Sequence, residues 1–304
     1  MTNLFLLVFC LVLGAFLRRI KDFPENSPMV LNQFLIYISL PALALIYIPQ
    51  ITLSRELLFP VATSWLVLGF ALIIIPLLGR LFGWSRETVG CLLLTAGLGN
   101  TSFVGFPVIE AVYGPEALRI ALMVDQPGSF VAVSTAGIII ACTYSDNELR
   151  KRDIFRKVLL FPPFITFVFA IGMNLAGIEA RGIPLEVLER LGATLAPIAL
   201  TSVGMQLSFS LQKESVAPLI WGLSYKLLLA PLLLSVLFIF VLQGSGEVVK
   251  VSIMEAAMAP MITGSILAIM YGLNPKLASQ MVGIGVPLSF LTLFGWYYIL
   301  EWLG

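Results

Sequence analysis

Three ionisable side chains lie in apolar stretches of the sequence: Asp125 in "LMVDQPGSF", Lys226 in "LSYKLLLAP" and Glu255 in "SIMEAAMAP". Each costs roughly 2.5–3.5 kcal/mol at the centre of a membrane-spanning helix, so such residues normally face a cavity or a partner. We interpret all three as coupling or charge-gating residues. Asp125 is either a proton-binding or gating acid or a static structural one. Lys226 is either a counter-ion or a source of positive potential for an anion.

The stretch "LGNTSFVGFPVIEAVYG" from Leu98 to Gly114 is a poor helix inside an apolar run of spanning length. Proline removes a backbone donor and clashes with the preceding turn, and glycine adds conformational freedom. A second apolar run, "EAAMAPMITGSILAIMYG", is interrupted in the same way. The candidate substrate-binding residues in the two stretches are Asn100, Thr101, Ser102, Gly105, Pro107, Pro260, Thr263, Gly264 and Ser265.

Non-helical backbone at membrane depth is tolerated only where it is buried in protein or lines a wet cavity. If the two interruptions cross, half-helices that start near Pro107 and Gly264 direct their N-terminal amides and positive dipole ends at the crossing. The prediction is therefore an anion-binding site. The alternative is a pair of proline kinks that only shape the packing.

The composition of the chain predicts that membrane-spanning helices position these residues. The chain is 59% hydrophobic and 12% charged, against about 25% charged in an average globular domain. We predict an all-α polytopic membrane protein with one membrane domain. Its ten predicted transmembrane helices span 3–20, 27–49, 57–80, 87–113, 116–143, 157–178, 186–210, 215–242, 247–272 and 277–302.

The basic residues of the loops predict the orientation of these helices. One side holds Arg18, Arg19, Lys21, Arg80, Arg86, Arg150, Lys151, Arg152, Arg156, Lys157, Lys213 and Lys276, and the other holds Arg55, Arg119, Arg181, Arg190 and Lys250. Because cytoplasmic loops carry the excess of Lys and Arg, we predict a multi-pass protein of the inner (plasma) membrane with both termini outside and a cytoplasmic 144–156 loop. No basic run has interleaved aromatic residues, so no nucleic-acid partner is expected.

The two halves of the chain resemble each other at a nearly constant offset of about 155–160 residues. "SLPALAL" around Pro41 matches "LAPIALT" around Pro197, and "IIIPLLG" around Pro76 matches "LLAPLLL" around Pro231. A five-helix unit repeated once must be inserted in opposite orientations, as in many secondary transporters. We predict a first repeat over 1–143, a connecting loop over 144–156 and a second, inverted repeat over 157–304, with broken helices 4 and 9 that cross.

"GNTSFVGFPVIEAVYG" resembles the fourth-span signature of the auxin efflux carrier family, and "AAMAPMITGSILAIMYGLNP" resembles its ninth span. Lys226, five residues before Pro231, matches a basic residue of the eighth span. The resemblance implies a scaffold and a transport region, elevator-type alternating access, a substrate carboxylate at Asn100, and Pro107 and Pro260 as residues that shape the crossing. The short 144–156 loop favours a bacterial-type member.

The leading hypothesis is a secondary efflux carrier of small organic anions, such as malate or auxin-like acids. Proton coupling through Asp125 and transport driven by membrane potential alone both stay open. The nearest alternative is a sodium-coupled symporter of the bile acid type, with Gln50, Gln206, Thr263 and Glu255 as candidate ligands. No cofactor, metal centre or enzyme is predicted, since the chain has no His. Besides the substrate and the lipid bilayer, a homodimer through the scaffold is compatible with the resemblance.

Overall fold

The computed structural model describes residues 2–24, 26–52, 54–145, 162–207 and 216–303. Every regular element within those ranges is helical, as predicted. The thirteen helices described are α1 (Thr2–Leu17), α2 (Ser27–Gln50), α3 (Arg55–Phe82), α4 (Arg86–Thr95), α5 (Thr101–Tyr113), α6 (Pro115–Tyr144), α7 (Pro162–Leu175), α8 (Ile183–Gly192), α9 (Leu195–Gln206), α10 (Val216–Val241), α11 (Gly246–Ala256), α12 (Ile262–Met270) and α13 (Pro275–Leu303).

Five of these helices, α2, α3, α6, α10 and α13, are long and apolar enough to cross a membrane. The shorter helices α1, α5 and α7 are apolar as well. A polytopic membrane protein is thereby supported, while the count of ten spans and the inverted repeat stay predictions. The predicted fourth and ninth spans each consist of two separate helices, α4 with α5 and α11 with α12.

Three prolines explain local widening of the helices. Pro41, Pro107 and Pro231 each follow a π-helical turn by two residues, the turns being Leu35–Ser39, Thr101–Gly105 and Tyr225–Leu229. A proline ring clashes with the carbonyl group four residues earlier, and a wider turn relieves that clash. These prolines therefore modify their helices without ending them.

The turn between α3 and α4 shows how sequence signals end and start a helix. Gly83 follows α3 in the left-handed conformation, with φ at +65°, which glycine adopts at little cost. Ser85 then caps α4, since its Oγ accepts a hydrogen bond from the Thr88 N–H at 3.3 Å. This cap fixes the start of the first half of the interrupted span.

The chain forms two compact units. Unit 1 comprises Met1–Arg55, Ser102–Leu122 and Lys157–Leu207, and unit 2 comprises Glu56–Thr101, Met123–Arg156 and Ser208–Gly304. Each unit takes segments from both halves of the sequence, and the division into sequential repeats stays a prediction. Residues 146–156 of the predicted connecting loop lie outside the described part of the chain.

Unit 1 packs its helices through small residues and satisfied polar groups. A Cβ added to Gly14 in α1 would lie 2.1 Å from the Thr201 carbonyl oxygen, and one added to Gly204 in α9 would lie 2.2 Å from the Leu11 carbonyl oxygen. Such small residues let helix backbones approach closely in membranes. The α1–α9 contact therefore depends on glycine at both positions.

Unit 2 holds helix α10 in place on either side of Lys226. The Tyr225 hydroxyl donates to the Val67 carbonyl of α3, and the Trp296 indole N–H of α13 donates to the Leu227 carbonyl at 2.8 Å. Tyr225 and Leu227 are both buried. Lys226 therefore lies in a segment whose position is fixed by both neighbouring helices.

Candidate functional site

The two interruptions meet in unit 2. Helix α4 ends at Thr95 and α5 begins at Thr101, while α11 ends at Ala256 and α12 begins at Ile262. The intervening segments, 96–100 and 257–261, are paired by an antiparallel bridge between Gly99 and Pro260. The Asn100 N–H also donates to the Ala259 carbonyl at 2.9 Å. Backbone contact thus joins the two breaks directly.

The second half-helix of each interrupted span starts earlier in the chain than the positions of the prolines and glycines predicted. The half-helices start at Thr101 and Ile262, whereas the sequence placed their starts near Pro107 and Gly264. Pro107 lies inside α5, where the preceding π-helical turn accommodates it. Gly264 lies in the first turn of α12, and a Cβ added there would lie 2.1 Å from the Leu94 carbonyl oxygen. Gly264 is therefore needed for close packing of α12 against α4.

Asp125 is buried, and protein donors bind both of its carboxylate oxygens. The Thr101 hydroxyl donates to Oδ1 at 2.6 Å, and the Gln126 side-chain amide donates to Oδ2 at 2.7 Å. Asp125 therefore joins the start of α5 to α6 through the hydrogen bond from Thr101.

Lys226 is the buried basic residue of the crossing, with 1% of its surface exposed. Its ammonium donates one hydrogen bond, to the carbonyl oxygen of Ala256 at 2.7 Å. Ala256 is the last residue of α11, where the helix dipole favours a positive charge. No carboxylate oxygen of the described residues lies within 4.0 Å of this ammonium. The charge is thus balanced by dipoles and by more distant acids.

Glu255 precedes Ala256 and is fully buried, with 0% of its surface exposed. In the described part of the chain, neither carboxyl oxygen has a hydrogen-bond partner. An isolated buried carboxylate is very costly to hold in the ionised form. Glu255 and Asp125 therefore occupy different environments although both are buried acids of unit 2.

A small cavity lies among these groups. It measures about 10 Å³ when counted as the space open to the centre of a water-sized sphere, which is room for about one water molecule. Its lining residues are Thr63, Ser64, Val67, Gly97, Gly99, Thr101, Lys226, Glu255 and Ala256. An organic anion is larger than this space, so binding one requires a more open arrangement of unit 2.

Of the remaining predicted substrate-binding residues, some are buried and others are exposed. Ser265 is buried, and its hydroxyl donates to the Ala278 carbonyl at 2.9 Å, while Thr263 is exposed. Pro260 packs against Gly285, where an added Cβ would lie 2.7 Å from the proline ring. Three further predicted residues, Ser102, Gly105 and Pro107, belong to α5 within unit 1.

A family model described as "Membrane transport protein" matches residues 1–297. The chain belongs to the auxin efflux carrier family. An uncharacterized transporter of Methanocaldococcus jannaschii is 28% identical over 307 aligned positions, which cover 97% of each chain. An uncharacterized transporter of Methanothermobacter thermautotrophicus is 27% identical over 297 positions, covering 95% of this chain and 94% of its own. The match over nearly the full length supports a transporter.

In this member of the auxin efflux carrier family, the sequence analysis did not identify several residues of the site. Gly99 allows the Lys226 ammonium to approach the break, since a Cβ added to Gly99 would lie 2.9 Å from Nζ. Ser64 lines the cavity, and its hydroxyl is 2.8 Å from that of Ser129. The adjacent hydroxyl residues in "VATSW" of an apolar run were the available signal.

Proposed function

We propose that this protein is a secondary carrier that exports small organic anions, with carboxylates such as malate or auxin-like acids as substrates. The observation that carries the proposal is Lys226, a buried ammonium at the crossing with one hydrogen bond and no described carboxylate oxygen within 4.0 Å. An ammonium has three donors. Two of them are therefore left for a ligand, and an anion is the ligand that a buried cation favours.

The backbone of the two breaks supports the same conclusion. Helix α12 begins at the crossing, within unit 2, and the first N–H groups of a helix lack intrahelical partners and favour a negative charge. Asn100, also in unit 2, is buried in the other break. A carboxylate at the crossing would be within the field of the start of α12 and of Lys226.

The small cavity supports alternating access. With space for about one water, the cavity beside Lys226 is too small for a carboxylate substrate, which would have to bind in another conformation. The three buried acidic and basic residues of the described chain all belong to unit 2. We therefore propose unit 2 as the transport region that carries the anion in an elevator-type movement and unit 1 as the scaffold.

The first experiment is uptake of radiolabelled carboxylates into liposomes that contain the purified full-length chain. The panel includes malate and indole-3-acetate, and protein-free liposomes correct for passive entry. We expect saturable uptake that is accelerated by unlabelled substrate inside, as a carrier requires, and loss of that uptake in Asn100→Ala. Asn26→Ala, the same change at an exposed helix start without a side-chain cap, is the matched control and should transport normally.

Two outcomes of this experiment would contradict the proposal. Unchanged kinetics in Asn100→Ala would mean that the breaks are structural and that the anion binds elsewhere. Uptake that requires sodium would favour the sodium-coupled alternative. Of the ligands considered for sodium, Gln50 and Gln206 belong to unit 1, and each amide donates to its own helix one turn earlier. We therefore expect replacement of sodium by choline to leave uptake unchanged.

A further inference from the structure

The two buried acids of unit 2 differ in the one property that decides which of them exchanges a proton. Both oxygens of Asp125 accept hydrogen bonds, from Thr101 at 2.6 Å and from Gln126 at 2.7 Å. Both oxygens of Glu255 are buried without a hydrogen-bond partner among the described residues, and Glu255 lines the cavity beside Lys226. Asp125 is thus held by two donors, whereas an ionised Glu255 would be a buried charge that no described residue stabilises by a hydrogen bond, and protonation removes that charge.

We propose that Glu255 holds a proton while it is buried, as in the described structure, and exchanges it with the solution when the anion site opens, so that a proton crosses the membrane with the anion. This makes Glu255, and not Asp125, the coupling acid. The inference rests on the proposed anion carrier and deepens it by naming the coupled ion and its site.

The charges around Glu255 are few. The groups that act on it electrostatically are Asp125 from α6 and Lys226 from α10. Helix α3 contributes the hydroxyls of Thr63 and Ser64 to the shared cavity. The other titratable groups of the elements packed on α11 are engaged or lie towards its start: Tyr225 donates to the Val67 carbonyl, and Lys250 pairs with Glu301 of α13 at 3.2 Å.

The sum of these charges explains why proton and anion travel together. With Glu255 protonated, Asp125 and Lys226 cancel, so the region carries only the charge of the bound anion. With Glu255 ionised, the region carries one further negative charge in a buried site, where like charges repel strongly. Each ligand therefore favours binding of the other, and this coupling is reciprocal.

Infrared spectroscopy of the full-length protein in lipid tests the proton site without any substrate. A protonated carboxylic acid has a carbonyl stretching band well above the carboxylate bands, and the band shifts in D₂O. We expect such a band at neutral pH, its disappearance in Glu255→Gln and its persistence in Asp125→Asn. Absence of the band, or its loss in Asp125→Asn instead, would overturn the proposal.

Transport measurements with malate test the coupling. Glu255→Gln imitates the permanently protonated acid, so we expect its exchange of internal for external malate to become independent of pH. It should also fail to accumulate malate in response to a pH gradient. In the parent, malate affinity should fall by up to about tenfold per pH unit where Glu255 ionises, and in Glu255→Gln it should not change with pH.

These measurements separate the two proposals. If the parent exchanges no carboxylate, the carrier proposal fails, while the infrared band still decides whether Glu255 holds a proton. If the parent exchanges malate and Glu255→Gln keeps the parent response to a pH gradient, the carrier stands and the coupling acid is wrong. Exchange by Glu255→Gln also shows that this variant folds, and Glu255→Asp, which retains the carboxyl group, should preserve the response to pH.

Discussion

Unit 1 and unit 2 are built from the same kinds of apolar helix and differ in the polar residues that each buries in its own interior. Unit 2 contains all of the buried acidic and basic residues found in the described chain, Asp125, Lys226 and Glu255. The buried polar residues of unit 1 are the hydroxyl residues Ser39 and Ser202. The comparison teaches that unit 1 buries polar groups that fix its packing, whereas unit 2 also buries charged groups, one of which, Glu255, has no hydrogen-bond partner among the described residues.

The hydrogen bonds of unit 1 show this fixed packing. The Ser39 and Thr194 hydroxyls are 2.7 Å apart, and the Ser202 hydroxyl donates to the Asn32 side-chain oxygen at 2.7 Å. The Asn174 amide donates to three backbone carbonyls at the end of α2, those of Ile48, Pro49 and Ile51, at 2.7–3.1 Å. Such satisfied groups stabilise one arrangement, as expected for a scaffold.

The largest effect should follow from loss of the buried cation of unit 2. In Lys226→Met, we expect kcat/KM for carboxylate uptake to fall roughly tenfold to a hundredfold, because a hydrogen bond to a charged group is worth about 1.5–3 kcal/mol. Liposome uptake measures the change. The control is Lys250→Met, which removes the ammonium of the Lys250–Glu301 pair and should keep uptake near the parent value. Normal uptake by Lys226→Met would show that this lysine only caps α11.

Two glycine-to-alanine changes should separate stability from transport: Gly14→Ala should mainly lower stability, and Gly99→Ala should mainly lower uptake. In unit 1, Gly14→Ala directs a methyl group at the Thr201 carbonyl, 2.1 Å away, so we expect a loss of about 1–3 kcal/mol from overpacking. In unit 2, Gly99→Ala directs it at the flexible end of Lys226, 2.9 Å away. The ammonium can shift, so melting temperature should change little while uptake falls severalfold.

Melting in detergent and uptake by the folded fraction, measured on both glycine variants, test this contrast. Equal losses of stability and of transport in both variants would remove the functional distinction between the two units. A larger loss of uptake per folded molecule in Gly14→Ala than in Gly99→Ala would reverse it.

The smallest effect is expected for Ser39→Ala in unit 1. This change removes the hydroxyl that contacts Thr194 at 2.7 Å, and a typical hydrogen bond contributes about 1 kcal/mol. The melting temperature should fall slightly and the KM for uptake should stay constant. A changed KM would show that the anion site also depends on this part of unit 1.

The sequence predicted the features that depend on composition and local pattern. The helical membrane class, the two interruptions and the three buried charges could all be inferred, because an apolar run makes polar residues and prolines conspicuous. The position of the first break was less predictable, since Pro107 is the most visible breaker and the chain accommodates it inside α5. The exposure of Thr263 was also not predictable, because the repeat of apolar residues that identifies the buried face of a helix is interrupted where the helix breaks.

The difference between Asp125 and Glu255 could not be predicted from sequence. Both are acids in apolar runs, and what separates them is the donor that Thr101 brings from the other side of a break. Gln126 is adjacent in sequence, yet an adjacent amide does not in general reach its neighbour's carboxylate. The proposal of Glu255 as the coupling acid therefore depends on the tertiary structure.

The backbone contacts between the breaks have a consequence for stoichiometry. The Asn100 N–H is bonded to the Ala259 carbonyl, and the Gly264 backbone lies against the Leu94 carbonyl. Two separate interruptions could form two half-sites that bind two ligands. Since each interruption forms part of the surroundings of the other, we expect them to contribute to one shared site. A binding titration should therefore saturate at one anion per chain.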